Sequence, residues 1–197
     1  MTADELAFLA AICADSTDDT VRLAYADWLD EQDQPDRAEF IRVQCELARP
    51  KWTCPGCCPR DPKYNTGGSL YPYCHEGCEQ CDEHSALRRR ERELWESGLG
   101  VCLQNDVDFL SLNKPLLIDR SGQWARGFLS AITCTAEDWE RYGSEITKTQ
   151  PIEHVALTTR PQNVILEGVP PHNVVMEIYR DWFAKRWPGI KFTLPGT

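Results

Sequence analysis

The sequence lacks the long hydrophobic runs that mark membrane spans and the basic N-terminal segment that marks a secretory signal. None of its apolar runs approaches the roughly 18 residues that a membrane helix requires. The first five residues, MTADE, include two acidic residues and no basic one, which differs from a signal peptide. We therefore expect a cytoplasmic protein that does not enter membranes, in a compartment where cysteines remain reduced.

Positive charge is also scarce. The protein has 21 Lys and Arg residues against 31 Asp and Glu residues, a formal charge of −10. Such a charge repels phosphate backbones at long range and argues against a nucleic-acid partner. The exception is the run Arg88-Arg89-Arg90-Glu91-Arg92. Because glutamates interleave with these arginines in a helical context, we predict a solvent-exposed helix face there.

Common catalytic motifs are absent as well. The sequence contains no GxSxG, GxxxxGK or GxGxxG motif. It also lacks the paired His-x-Glu and PCxxC signature of zinc deaminases. We interpret His154 and His172 as ordinary surface histidines. The sequence therefore predicts a protein that is not an enzyme.

Cysteine is abundant, with ten residues in 197, and six of them lie between Cys54 and Cys81. They include two CxxC pairs, Cys54/Cys57 and Cys78/Cys81, separated by 20 residues. This spacing is typical of two thiolate turns that converge on one tetrahedral zinc ion. A closed four-ligand site stabilises a fold and leaves no position for substrate or activated water.

Four further potential ligands lie in the same stretch: Cys58, Cys74, His75 and His84. We expect one zinc ion per protein molecule, with two as the alternative, because adjacent Cys57 and Cys58 do not easily face the same ion. Cys74 in place of Cys78, or His84 in place of Cys81, are the alternative ligand sets. A disulfide-linked loop is a further alternative, and it would suit a secreted protein.

The N-terminal 50 residues have a helical pattern. Thr2 and Glu5 form a capping box, and Pro35 suits the first turn of a third helix. Three segments, FLAAI at 8–12, RLAYADWLDE at 22–31 and RAEFIRVQ at 37–44, resemble the bacterial repeat-companion domain. The resemblance implies a short helical module, often ahead of leucine-rich or other repeats, in an interaction or scaffolding context. It transfers no catalytic residue.

Within this module, we interpret the aromatic residues Tyr25 and Trp28 as core. We expect Asp27 and Arg22 to form ion pairs between helices, with Arg37 or Arg42.

The remaining sequence alternates between helix and strand patterns. Ser85 is the predicted cap of a helix that ends at Ser97-Gly98. Strands are expected within 124–134, 152–159, 163–167 and 190–194, and helices over 136–147 and 173–187. We therefore predict a mixed α+β or α/β fold: an N-terminal helical module, a zinc-binding insertion, and a small parallel sheet with its helices on one face, layered like a leucine-rich repeat. The expected domains are the helical module at 1–50, the zinc-binding insertion at 51–84, and a helix followed by an α/β domain at 85–197.

These features favour a zinc-stabilised, non-enzymatic protein-interaction or scaffold module with a protein partner. A terminal sheet layer and exposed aromatic residues, for which we select Trp182 and Trp187, suit protein docking. The first alternative is a nucleic-acid-binding zinc protein that uses the arginine run. The second is a metalloenzyme with an open coordination position.

Overall fold

A computed structural model describes residues 2–49, 79–103, 124–159 and 172–194 of the chain. Along these residues the helices and strands occur in the following order: α1 Ala3–Ala14, α2 Asp19–Glu31, α3 Pro35–Leu47, α4 Glu79–Leu94, β1 Trp124–Ala125, β2 Phe128–Leu129, β3 Ala131–Cys134, α5 Ala136–Ile146, β4 His154–Leu157, α6 His172–Arg186 and β5 Lys191–Thr193. The mixed α+β class is therefore confirmed in the described residues.

The first three helices begin where local chemistry predicts. The Thr2 hydroxyl accepts a hydrogen bond from the Glu5 amide, and the Asp18 carboxylate accepts one from the Thr20 amide. Each bond satisfies an amide that has no partner inside its helix. Pro35 occupies the first turn of α3, where its missing N–H is not needed.

Helix α4 differs from the prediction at its start. It begins at Glu79, so Ser85 lies inside the helix and the predicted cap at Ser85 is wrong. Acidic residues at Glu79, Asp82 and Glu83 favour the N-terminal end of a helix because they complement its dipole. Beyond Leu94 the chain kinks within Trp95–Leu99, where Gly98 has a non-helical φ of +114°.

The strands form two small sheets. Strands β1 and β2 pair antiparallel, while β3, β4 and β5 pair parallel in that order. The predicted parallel sheet is confirmed, and the predicted strand with a bend near 124–134 is a hairpin followed by a separate strand. The apolar run at 163–167 lies outside the described residues.

Helices α5 and α6 pack on one face of the parallel sheet. Inward residues of β3, β4 and β5 share one buried cluster with α5 and α6; its central members are Ile132, Val155, Phe192, Trp139 and Phe183. Trp187 is only 6% exposed and stacks on Phe183, so the prediction that Trp187 is exposed is wrong. Trp182 is half-buried beside the same phenylalanine, with ring centroids 4.9 Å apart.

The helical N-terminal part shares its core with the hairpin. Phe128 of β2 belongs to the buried cluster of α1, α2 and α3, and its ring centroid lies 6.0 Å from that of Tyr25. Tyr25 is fully buried and Trp28 is partly buried beside it, which confirms the interpretation of both as core residues. The helices α1, α2 and α3 therefore pack directly against a segment that the predicted division assigned to another domain. No helix in the described parts of the protein is long and apolar enough to cross a membrane.

Candidate functional site

A cavity of about 260 Å³ lies where helix α2 meets the β1–β2 hairpin and the start of β4. Its lining contains two arginines, one glutamate and two serines among small residues: Ser16, Arg22, Ala48, Ala125, Arg126, Ser130, Pro151 and Glu153. Charged side chains that converge on a concave surface suit the binding of a small polar group.

Arg22 reaches this cavity from the buried face of α2. The buried residues of that helix are Arg22, Tyr25, Ala26 and Leu29, the spacing of one helical stripe. Arg22 is 1% exposed; its Nη1 donates to the Asp18 carbonyl at 3.1 Å, and its guanidinium lies 5.7 Å from the Phe128 ring centroid. Its Nε is buried without a hydrogen-bond partner. An unsatisfied buried donor on a cation is costly unless an acceptor reaches it.

The environment of Arg22 acts on its pKa in opposite directions. Burial lowers the pKa of the guanidinium and is the largest effect, and the nearby Arg126 adds to it. The carboxylates of Asp19 and Glu153 raise the pKa of Arg22. Because arginine starts from a very high pKa, Arg22 remains a cation at neutral pH.

Arg126 enters the cavity from the hairpin turn. Arg126 and Gly127 both have positive φ, +52° and +84°, as the two central residues of a type I′ turn require. The turn brings Arg126 to the helices, where its Nη1 donates to the Ser16 carbonyl at 3.2 Å and its Nε lies 3.3 Å from Asp19 Oδ1. The hairpin therefore places a second guanidinium beside Arg22.

The sequence did not predict this cavity. Arg22 was assigned to an ion pair between helices, whereas the structure buries it against an aromatic ring. The expected partner of Asp27 is confirmed, because Arg42 Nη2 lies 2.6 Å from Asp27 Oδ1 and equally close to Asp30. One signal for the cavity was present in the sequence: Arg22 occupies a position of the apolar stripe that continues through Tyr25 and Leu29.

Most of the predicted metal ligands lie outside the described residues: Cys54, Cys57, Cys58, Cys74, His75 and Cys78. Cys81 and His84 lie on α4. The imidazole of His84 is half-buried, and burial, followed by the nearby Arg88, lowers its pKa.

The prediction of a zinc cofactor is wrong for the described part of the protein. Residues 2–49, 79–103, 124–159 and 172–194 contain no group of three or more His, Cys, Asp or Glu residues that could hold a metal ion. Four cysteines of these ranges are free: Cys13, Cys45, Cys102 and Cys134. Burial raises the thiol pKa to about 11 for Cys13 and to about 12 for Cys45 and Cys134. A thiol that keeps its proton is a poor metal ligand.

Two of the four arginines in the run on α4, Arg88 and Arg90, form ion pairs. Arg88 Nη1 lies 3.0 Å from Glu91 Oε2. Arg90 forms a two-point contact with Glu39, with both N···O distances 2.7 Å, and also reaches Glu93 at 3.4 Å. These carboxylates neutralise charge that a nucleic-acid-binding stripe would need.

A search of family models, curated proteins and solved structures found no match to this protein.

Proposed function

We propose that this protein is a non-enzymatic protein-interaction module that binds its partner across the outward face of the parallel sheet. We define this open face by six residues that alternate with the buried ones: Ala131, Thr133, His154, Ala156, Lys191 and Thr193. The proposal is supported by one observation: the large apolar side chains of the three strands point to the helices, while the opposite face carries small and polar ones.

The register of the three strands arranges the residues of the open face in two rows. Ala131, His154 and Lys191 are aligned in one row, and Thr133, Ala156 and Thr193 in the next. His154 Nε2 lies 2.7 Å from Thr193 Oγ1, which joins the two rows. The row of Thr133, Ala156 and Thr193 has only short side chains, so an extended segment can approach this part of the sheet closely.

The charge of the open face indicates the partner's chemistry. The whole protein carries −10, yet none of the six residues of this face is acidic, and Lys191 is exposed. Charge complementarity directs partners to such a face and sets their specificity. We therefore propose a protein segment as the occupant, with an acidic side chain opposite Lys191. The resemblance of residues 1–50 to a repeat-companion domain supports the same kind of function.

Site-specific photocrosslinking tests the proposal. A benzophenone amino acid at Thr133 or Ala156 would crosslink the partner in the native host, and the adduct would be identified by mass spectrometry. The matched control is Ala184, an exposed alanine on α6. We expect adducts from positions 133 and 156 and none from position 184. The substitution Lys191→Glu should reduce the yield of the adducts at 133 and 156. Equal crosslinking from all three positions, or none from the open face, would contradict the proposal.

A further inference from the structure

We infer that one side of helix α6 docks a segment of another protein in which an acidic and an aliphatic side chain are neighbours. The docking residues are Ile178, Trp182 and Arg186, which we call the α6 strip. They are four residues apart and follow one another along the helix over about 12 Å. The strip is separate from the open face, and the inference does not depend on the proposed function. Ala184 lies on another side of α6, so it remains a control for the open face.

Trp182 supplies the rigid aromatic surface of the strip. The residue is half-buried, and its ring centroid lies 4.9 Å from that of Phe183 and 6.2 Å from that of Trp187, both in edge-to-face geometry. These contacts hold the indole before a partner arrives, so binding costs little side-chain entropy. One turn earlier, Ile178 is 38% exposed. A fixed indole beside an exposed aliphatic residue suits the centre of a protein interface.

Arg186 supplies the charge of the strip. Its guanidinium lies 6.0 Å from the ring centroid of Trp182 and 5.1 Å from that of Trp187, within the range of a cation–π contact. Residues three and four positions earlier are those that pair with a helical side chain, and here they are Phe183 and Trp182. No carboxylate in the described parts of the chain forms an ion pair with Arg186. The rings therefore hold the guanidinium without neutralising it, and its donors can bind a carboxylate of a partner.

The charge around the strip is complementary to an acidic partner. The whole protein has a formal charge of −10, whereas residues 172–194 contain four Lys and Arg residues against two Asp and Glu residues. The two acidic residues, Glu177 and Asp181, stand nine and five positions before Arg186, outside the spacing that pairs side chains on a helix. An acidic side chain of a partner therefore meets Arg186 without a competing carboxylate of α6.

The same residues argue against a nucleobase as the occupant. Base stacking requires a free aromatic face, and the guanidinium of Arg186 lies over the ring of Trp182. The formal charge of −10 also opposes the approach of a phosphate backbone. An aliphatic side chain packs against Ile178 and the exposed part of the indole, and it leaves Arg186 to a neighbouring carboxylate.

Selection from a random peptide library displayed on phage, with the full-length protein as bait, tests the inference. We expect the parent protein to enrich peptides in which Asp or Glu stands beside Leu, Ile or Val, and Arg186→Gln should lose them. The matched control is Arg180→Gln, because Arg180 is an exposed arginine on a different side of the same helix. Peptides that Lys191→Gln loses and Arg186→Gln keeps belong to the open face.

Titration of an enriched peptide into protein labelled with fluorotryptophan locates the binding site. The fluorine resonance of Trp182, assigned with Trp182→Phe, should shift as the peptide binds. Arg186→Gln should weaken binding roughly tenfold through the loss of a charge-assisted hydrogen bond. Ile178→Ala should weaken it roughly fivefold through the loss of apolar contact, and Arg180→Gln should leave it unchanged. Ile178, Arg180 and Arg186 are all exposed, so these substitutions leave the buried cluster intact.

Three results would overturn the inference. The first is a selection that enriches no acidic peptide, or only acidic peptides that Arg186→Gln still binds. The second is a Trp182 resonance that does not shift when the peptide binds. The third is binding of a single-stranded oligothymidine that Arg186→Gln abolishes, which would assign the α6 strip to nucleic acid.

Discussion

The side-chain Oε1 of Gln44 accepts a hydrogen bond from the backbone N–H of Gly127 at 2.6 Å. The other end of the same amide donates from Nε2 to Glu91 Oε1 at 2.8 Å. Gln44 is only 6% exposed; its bond to Gly127 is buried and its bond to Glu91 is partly buried. One side chain of α3 thus joins α4 to the turn that places Arg126 in the cavity.

We expect Gln44→Met to lower the free energy of unfolding by about 1–3 kcal/mol, because a similarly shaped side chain leaves the Gly127 N–H without its acceptor. Urea denaturation followed by circular dichroism measures the change. The control is Gln34→Ala, since Gln34 is exposed and its side chain makes no capping bond. A Gln44→Met variant as stable as the parent would show that the buried amide does not stabilise this junction.

Gly127→Ala should destabilise the protein for two separable reasons. The residue has φ of +84°, and a Cβ there would lie 2.3 Å from Ile41 Cγ1 and 3.0 Å from the Ile41 Cα. Gly189→Ala is the matched control, because Gly189 has φ of +88° and no atom within 4 Å of an added Cβ.

The control should cost about 1–2 kcal/mol from backbone strain alone, and Gly127→Ala should cost about 1–3 kcal/mol more from the clash. The clash is hard to relieve because one of the atoms involved belongs to the α3 backbone. Thermal and urea unfolding of both variants give the comparison. Equal losses at the two positions would mean that the hairpin moves away from α3 at little cost.

We expect nucleic-acid binding to become stronger when the ion pairs of α4 are broken. We expect the parent protein to bind duplex DNA no more tightly than about 10⁻⁴ M at physiological salt. Replacing Glu39, Glu91 and Glu93 with Gln removes the partners of Arg88 and Arg90 and should strengthen binding in a salt-dependent way. Filter binding across a salt titration checks both statements. Tight, salt-sensitive binding by the parent protein would favour the nucleic-acid alternative instead.

Local chemistry explains which parts of the fold were predictable. The cap at Thr2 acts through a hydrogen bond to the amide three residues away, so a short sequence window contains it. The alternation of Val155 and Leu157 likewise places both side chains on the helical side of β4. The start of α4 was missed because Ser85 is an acceptable cap in isolation, and only the neighbouring acidic residues favour an earlier start.

The cavity was not predictable for a different reason. Arg22 and Arg126 are distant in sequence, and they meet only because a type I′ turn points Arg126 at the helices. The burial of Arg22 also requires Phe128, whose ring packs among α1, α2 and α3. Sequence periodicity describes one element at a time, so it does not show which residues of distant elements converge.

The buried thiol of Cys134 makes the free energy of unfolding depend on pH in the alkaline range. Burial, with a smaller effect of the Asp138 carboxylate, raises its pKa from 9.0 to about 12 in the folded protein. Above pH 9 the unfolded protein loses this proton while the folded protein keeps it. The unfolded state then binds fewer protons than the folded state, so stability falls as the pH rises through this range.

Cys134→Ala isolates this effect, because other groups titrate equally in the parent and the variant. The parent should be more stable than the variant by a constant amount between pH 6 and pH 8. From pH 9 toward pH 11 that advantage should shrink by up to about 1.4 kcal/mol per pH unit. Urea unfolding of both proteins under reducing conditions measures the difference at each pH. An advantage that stays constant or grows above pH 9 would show that the folded protein does not hold the Cys134 proton, and that solvent reaches the helical side of β3.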